Sequence, residues 1–262
     1  AQDEWKLTKD FKLSYGVRVD VPFFEEGTAN DDFNTRTVAL LEAAGKDLQG
    51  ARVGKKIKSQ IHVSPRLGFN WDAFGDKTTQ VRGGLGIFTS RIPLVWPGGA
   101  YNNNGISVGG VNENDFDSGT LFFEADPFNQ PIGNGPAPGS STIGGQIDLF
   151  APDFKLPQVA KYSLGVDQKL GVWGLIASAD FLYNETINNV LYQNLNIGEP
   201  VGSLNGADTR PLWNDSQRID SEYSRIILGT NTNEGWSYNA SFVLTKPFDN
   251  GFSGQIAYTY GQ

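Results

Sequence analysis

The sequence predicts an all-β chain folded as an antiparallel, up-and-down transmembrane β-barrel segment. Three observations carry this: segments with a period of two, a strict rhythm of link lengths, and charges kept to one side of every strand. In "LSYGVRVDVPFF" the apolar residues Leu13, Tyr15, Val17, Val19 and Val21 alternate with Ser14, Gly16, Arg18 and Asp20. That stretch alone fits a strand of a soluble sandwich as well as one between lipid and a wet lumen.

The same pattern recurs along the chain. It appears in "IHVSPRLGFNWD", "YSLGVDQKL", "LIASADFLYN", "WSYNASFVLTKPF" and "FSGQIAYTY". It is less clean in "QVRGGLGIF", where Val81, Leu85 and Ile87 share a phase, and "AQDEWKL" reads as the end of one more strand. About eight strands are therefore expected. The links between them alternate in length: residues 8–10, 74–77, 171–174 and 248–251 are short, whereas about 25–58, 92–157 and 198–233 are long. Tight turns on one side and extended loops on the other are the order of an outer-membrane barrel. A Greek-key sandwich has no reason to keep that order.

The polar phase carries Arg18, Asp20, Arg66, Asp72, Arg82, Lys161, Asp167 and Asp180, and the apolar phase has no charge in mid-strand. Aromatic residues gather toward strand ends, at Phe69 and Trp71, Phe181 and Tyr183, Trp236 and Tyr238, and Tyr258 and Tyr260, as interfacial girdles require. Val17, Val19 and Val21 are thus expected to face lipid, with Arg18 and Asp20 facing a polar lumen.

Composition narrows the chemistry. The 262 residues contain no cysteine, so disulfides and thiol catalysis are excluded, and the one histidine makes a histidine-built zinc site or a Ser-His-Asp triad untenable. Mean hydropathy of −0.34 fits a chain without apolar helical spans, and no run approaches the ~20 apolar residues of a membrane helix. The net charge of −8 argues against nucleic acid as a partner. The chain also lacks methionine, so it is expected to be processed or part of a longer one.

Several strand segments resemble a known family. "DEWKLTKDFKLSYGVRVDVP", "SPRLGFNWDAFGDKTTQVRGGLGIFTSRIPLVW", "PDFKLPQVAKYSLGVDQKL" and "EGWSYNASFVLTKPFDNGFSGQIAYTYG" are similar to the barrel of TonB-dependent outer-membrane receptors, and most similar to the Oar-like branch. The resemblance implies a barrel of about 22 strands with a plugged lumen, of which these eight would be a third. It implies a Gram-negative outer membrane, lipid as surroundings, and energising TonB machinery acting through a plug domain that this stretch does not show. A surface lipoprotein partner is left open, as is the direction of transport.

Candidate functional residues fall in two groups. Arg18, Asp20, His62, Arg66, Arg82, Lys161 and Asp167 are expected to face the lumen, the cations lining an anion path or pairing with nearby carboxylates. The loop spanning 92–157 holds seven acidic residues against Lys155 and is read as turn-rich, without helical period. Its Trp96, Tyr101, Glu113, Asp115, Asp117, Glu124 and Asp126 are candidates for a substrate or partner surface. Asp115 and Asp117 precede Gly119 in a D-x-D-x-G arrangement, a weak calcium candidate without the bidentate Glu of an EF-type loop. No cofactor and no catalytic residue is expected, because no carboxylate pair stands out by spacing. Two other readings remain: a small stand-alone barrel with a structural or adhesive role, and a soluble carbohydrate-binding module using Trp96 and Trp213.

Overall fold

The computed structural model describes residues 1–107, 125–128, 145–214 and 217–262. Eight strands form one antiparallel wall in which each is hydrogen-bonded to the next: β1 (Gln2–Lys6), β2 (Phe11–Asp20), β3 (His62–Asp72), β4 (Thr79–Thr89), β6 (Gln158–Lys169), β7 (Ile176–Asn194), β11 (Trp236–Asp249) and β12 (Phe252–Gly261). The sheet is open, with β1 and β12 at its edges.

Link chemistry explains the rhythm. Asn250 and Gly251 both adopt positive φ, 54° and 79°, the backbone of a two-residue type I′ hairpin whose twist matches its strands. In the β3–β4 turn both carboxylate oxygens of Asp72 accept from the Lys77 N–H, and Oδ1 also accepts from Gly75. Thr78 hydrogen bonds hold the Asp76 carboxyl below its ordinary range. Pro247, which has no N–H to give, sits where the β11–β12 register slips between Lys246 and Asp249.

The register puts one phase of every strand on one side. Tyr15, Leu67, Leu85, Tyr162, Tyr183 and Tyr238 follow one another across six strands. Val81, Val166, Ala179, Phe242 and Tyr258 form a second apolar row. Several of these side chains are exposed, Leu85 at 52% and Phe242 at 56%, and the rest are half-buried. The opposite side carries Arg18, Arg66, Arg82, Lys161, Asp167 and Asp180, whereas the apolar phase carries charge only at Asp3 and, near strand ends, Glu185 and Lys246. An Arg or Lys at a bilayer midplane costs about 2–4 kcal/mol, so in a bilayer the apolar phase is the side that lipid tolerates. At the long-loop end Trp236 stacks on Tyr238, and Tyr238 on Phe181; at the short-turn end Phe11 stacks on Phe69.

The buried hydrophobic core lies outside this wall. The long links pack together into a cap, and several expectations about them need correcting. The first contains a short π-helix (Phe33–Thr37) running into α1 (Val38–Ala43). The second, read as turn-rich without helical period, contains α2 (Val95–Asn102) and β5 (Gln146–Phe150). The third follows β7, which runs for 19 residues to Asn194, and it contains the hairpin β8 (Gly202–Ser203) with β9 (Pro211–Leu212) and then β10 (Arg225–Thr232). The outer half of β7 pairs with β10, and β10 pairs in parallel with β5. One face of this small sheet, Ile147, Leu149, Ile226 and Leu228, is buried with Phe33, Val38, Leu41 and Tyr223. A second cluster joins Ile57, Ile92, Phe150, Phe154 and Leu156.

Candidate functional site

Cross-strand pairing sorts the cations of the charged side into two kinds. Arg18 turns along its own strand to Asp20, its Nη2 2.7 Å from Oδ1. Arg82 stands between β6 and β7, pairing with Asp167 on one side and with Asp180 at 2.7 and 2.9 Å on the other. Ser178 Oγ donates to the free oxygen of Asp167 at 2.6 Å. Gly165 makes room for this hub: a β-carbon there would meet Asp180 Oδ1 and come within 3.0 Å of the Arg82 guanidinium carbon.

Arg66 and Lys161 behave differently. They occupy one row with Gly86 between them, and both lean over the ring of Phe88, at 4.6 Å from the guanidinium carbon and 5.7 Å from the ammonium. Asp72, an expected partner of the lumen cations, is occupied by its turn. A depression of about 660 Å³ lies at the short-turn end among Lys6, Lys12, Asp72, Lys77, Asp167 and Lys169.

His62 is a joint between wall and cap. It is 3% exposed, its Nδ1 lies 3.2 Å from the Gln60 carbonyl, and its Nε2 accepts the Leu156 N–H at 2.9 Å. An accepting Nε2 leaves the ring proton on Nδ1, facing the Gln60 carbonyl. Its neighbour Ser64 is fully buried against Thr89, 2.7 Å away.

Polar ties fix the cap as firmly as its apolar core. The side chain of Asn196 donates to the carbonyls of Asp220 and Tyr223 and accepts the Asp220 N–H. Asp220 in turn receives Thr37 Oγ1 at 2.7 Å and Arg36 at 3.1 Å. Burial pulls the Arg36 guanidinium down, but Asp32, Asp220 and Glu222 outweigh it and hold it above its ordinary value. Asn30 bonds the Asn104 carbonyl, and Tyr101 donates to the Glu25 carbonyl at 2.6 Å, joining the first and second links.

The outer face of the cap sheet carries a cleft of about 230 Å³ bounded by Val95, Trp96, Gln146, Asp148, Phe150 and Tyr192. Trp96 meets Tyr192 edge-on, with ring centres 5.6 Å apart. Asp148 accepts from Gln146 and Asn103, both at 2.6 Å. Burial, with Asp148 nearby, pushes the Tyr192 hydroxyl up to about 12, so it is a donor at any physiological pH.

Of the expected outer-loop residues, Trp96 lines the cleft, Tyr101 ties two links, and Asp126 accepts the Phe128 N–H at 2.9 Å. Glu113, Asp115, Asp117 and Glu124, and with them the calcium candidate, lie outside the described residues. Among the described residues no three carboxylate or histidine groups converge as a metal site. Sequence reasoning missed Phe88, Asp148 and Tyr192. Phe88 had a readable signal, an aromatic residue alone on the polar phase of β4. Asp148 and Tyr192 had none short of the cap pairing.

With wall, turns and cap in place, comparison with known proteins decides the family. All of residues 1–262 match the family described as outer membrane beta barrel domain. The chain belongs to that family. This barrel segment accordingly resides in the outer membrane of a Gram-negative bacterium. No curated protein matches it in sequence. Among solved structures, a mutant of the ferric enterobactin receptor PfeA from Pseudomonas aeruginosa is similar at 15% identity and a TM-score of 0.49, over 99% of this chain and 25% of that one. The siderophore receptor PirA from the same organism is similar at 12% identity and 0.48, over 100% and 33%. The FrpB iron transporter from Neisseria meningitidis is similar at 10% identity and 0.43, over 99% and 35%. The barrel segment thus spans a quarter to a third of the length of these chains.

Proposed function

We propose that this chain is wall and outer cap of a TonB-dependent transporter of the Oar-like branch, moving a large or scarce solute across the outer membrane without bond chemistry. The observation that carries this reading is the division of the molecule. One side of the wall is charged, and the described parts of the long links are folded into a cored cap. A capped polar lumen needs energy to open, and the TonB machinery supplies it through a plug. The strand motifs resembling such receptors support the same reading, and the cap is the surface that meets substrate first.

The test is intact mass of the polypeptide from detergent-extracted outer membranes, joined to in-cell cross-linking with TonB. A chain several times the 28.6 kDa of this segment, cross-linked to TonB, is the expected result. A chain of 28.6 kDa without the cross-link would overturn the transporter reading.

A further inference from the structure

We propose that Arg66 and Lys161 form an oxyanion-binding station on the lumen side of the wall, for a carboxylate or phosphate borne by a solute. The proposal deepens the transporter reading and rests on its wet lumen. Of the four cations expected to face the lumen, Arg18 and Arg82 are neutralised by Asp20 and by Asp167 with Asp180. Arg66 and Lys161 make no ion pair and no side-chain hydrogen bond among the described residues; what they share is the Phe88 ring. An aromatic face steadies a cation without cancelling its charge, so two positive charges stay available side by side.

The surroundings fit an anion. Nε of Arg66 is out of contact with water and meets no acceptor. A buried donor left in that state costs about 1–3 kcal/mol, and an oxyanion on the Nε edge of the guanidinium would remove that cost. That edge is one a carboxylate or phosphate engages with two parallel bonds. Beside it opens a depression of about 240 Å³ bordered by Ser14, Gly68, Gly84, Phe88, Lys161 and Ser163, with no carboxylate in its lining. The serine hydroxyls are held only by long bonds to the Gly68 and Gly84 carbonyls, at 3.3 and 3.4 Å, and can turn to a ligand. Gly86 lets the arrangement form: a β-carbon there would stand 3.2 Å from Arg66 Cγ and 3.0 Å from the Pro65 carbonyl oxygen. The volume suits one anionic group of a solute, not a whole large one.

The experiment is calorimetric titration of the detergent-purified protein at low ionic strength with citrate and with inorganic phosphate, sodium chloride serving as the screening control. Binding of either oxyanion, weakened about tenfold or more by Arg66→Gln or Lys161→Gln, is expected, one charge-assisted contact being worth at least ~1.4 kcal/mol. Citrate alone would assign a carboxylate station, phosphate alone a phosphate station. Arg66→Lys keeps the charge without the fork and is expected to recover binding only in part; Lys12→Gln, whose ammonium already pairs with Glu4, should leave it unchanged. No binding of either anion, or equal binding by the Arg66→Gln/Lys161→Gln double variant, would overturn the station. Labelling of Ser241→Cys, on the same side of the wall but outside the depression, by a membrane-impermeant thiol reagent tests the wet lumen separately. Labelling without anion binding overturns the station alone, and no labelling overturns the lumen beneath it.

Discussion

The Leu156 backbone N–H donates to Nε2 of His62 across 2.9 Å, and this bond fastens the outer end of β3 to the strap leading into β6. Both partners are buried, so removing the acceptor strands the amide. His62→Ala is expected to cost about 1–3 kcal/mol, confined to the cap. Hydrogen exchange checks this: the Leu156 amide should lose protection while the β3–β4 amides keep theirs. Loss of protection throughout the wall would show that His62 supports the barrel instead.

Arg82 holds two carboxylates on two neighbouring strands. All three side chains are about one-third to one-half exposed, so screening keeps the pair modest. A double-mutant cycle between Arg82→Gln and Asp180→Asn should give a coupling of about 0.5–1 kcal/mol, the upper part of the range for exposed pairs. Gly165→Val should reproduce the loss with both charges intact, because its side chain would fill the space where they meet. Equilibrium unfolding in urea measures both.

The wall was legible in the sequence and the cap was not, for a physical reason. Each wall strand carries its own period of two and a nearby partner, so local pattern suffices. In the cap, "QIDLF" and "RIILGTNT" also alternate, but each is short and they pair with each other in parallel, Ile147 beside Ile226. Such pairing is fixed by the shared core, not by any turn. The outer half of β7, "TINNVLYQN", hides behind its asparagines, although Asn194 Oδ1 accepts the Ile226 N–H. At the candidate site, the polar phase gave the cations and two carboxylates that pair with them, Asp20 and Asp167, but not which cations stay unpaired. Both arginines face a glycine on the next strand, and register decides that Asp180 lies beyond the one opposite Arg82 while Lys161 lies beyond the one opposite Arg66.

Tyr192 gives the cap a signature at high pH. Its hydroxyl is raised from 10 to about 12 by burial, with a further contribution from Asp148. A raised value means that the folded state holds the proton more tightly than the unfolded one. The stabilisation is complete below about pH 10 and is lost as pH rises toward 12. In the phenolate absorbance titration, the difference between wild type and Tyr192→Phe should rise near pH 12 instead of 10. A difference already half-complete at pH 10 would place Tyr192 in open water.

Neighbouring residues on β11 separate a membrane wall from a soluble sheet. Ser241 lies opposite Asp180 on the charged side, and Phe242 lies between Ala179 and Tyr258 on the apolar side. In the outer membrane Phe242→Arg puts a charge into lipid at a cost of about 2–4 kcal/mol, whereas Ser241→Arg gains water and the Asp180 carboxylate. On a soluble module the difference disappears, since Phe242 is 56% exposed and a charge there would simply be hydrated. Heat-modifiable migration of outer-membrane extracts reads the folded fraction. The barrel requires a folded Ser241→Arg and a depleted Phe242→Arg; two equally folded variants would mean that the apolar side of the wall does not face lipid.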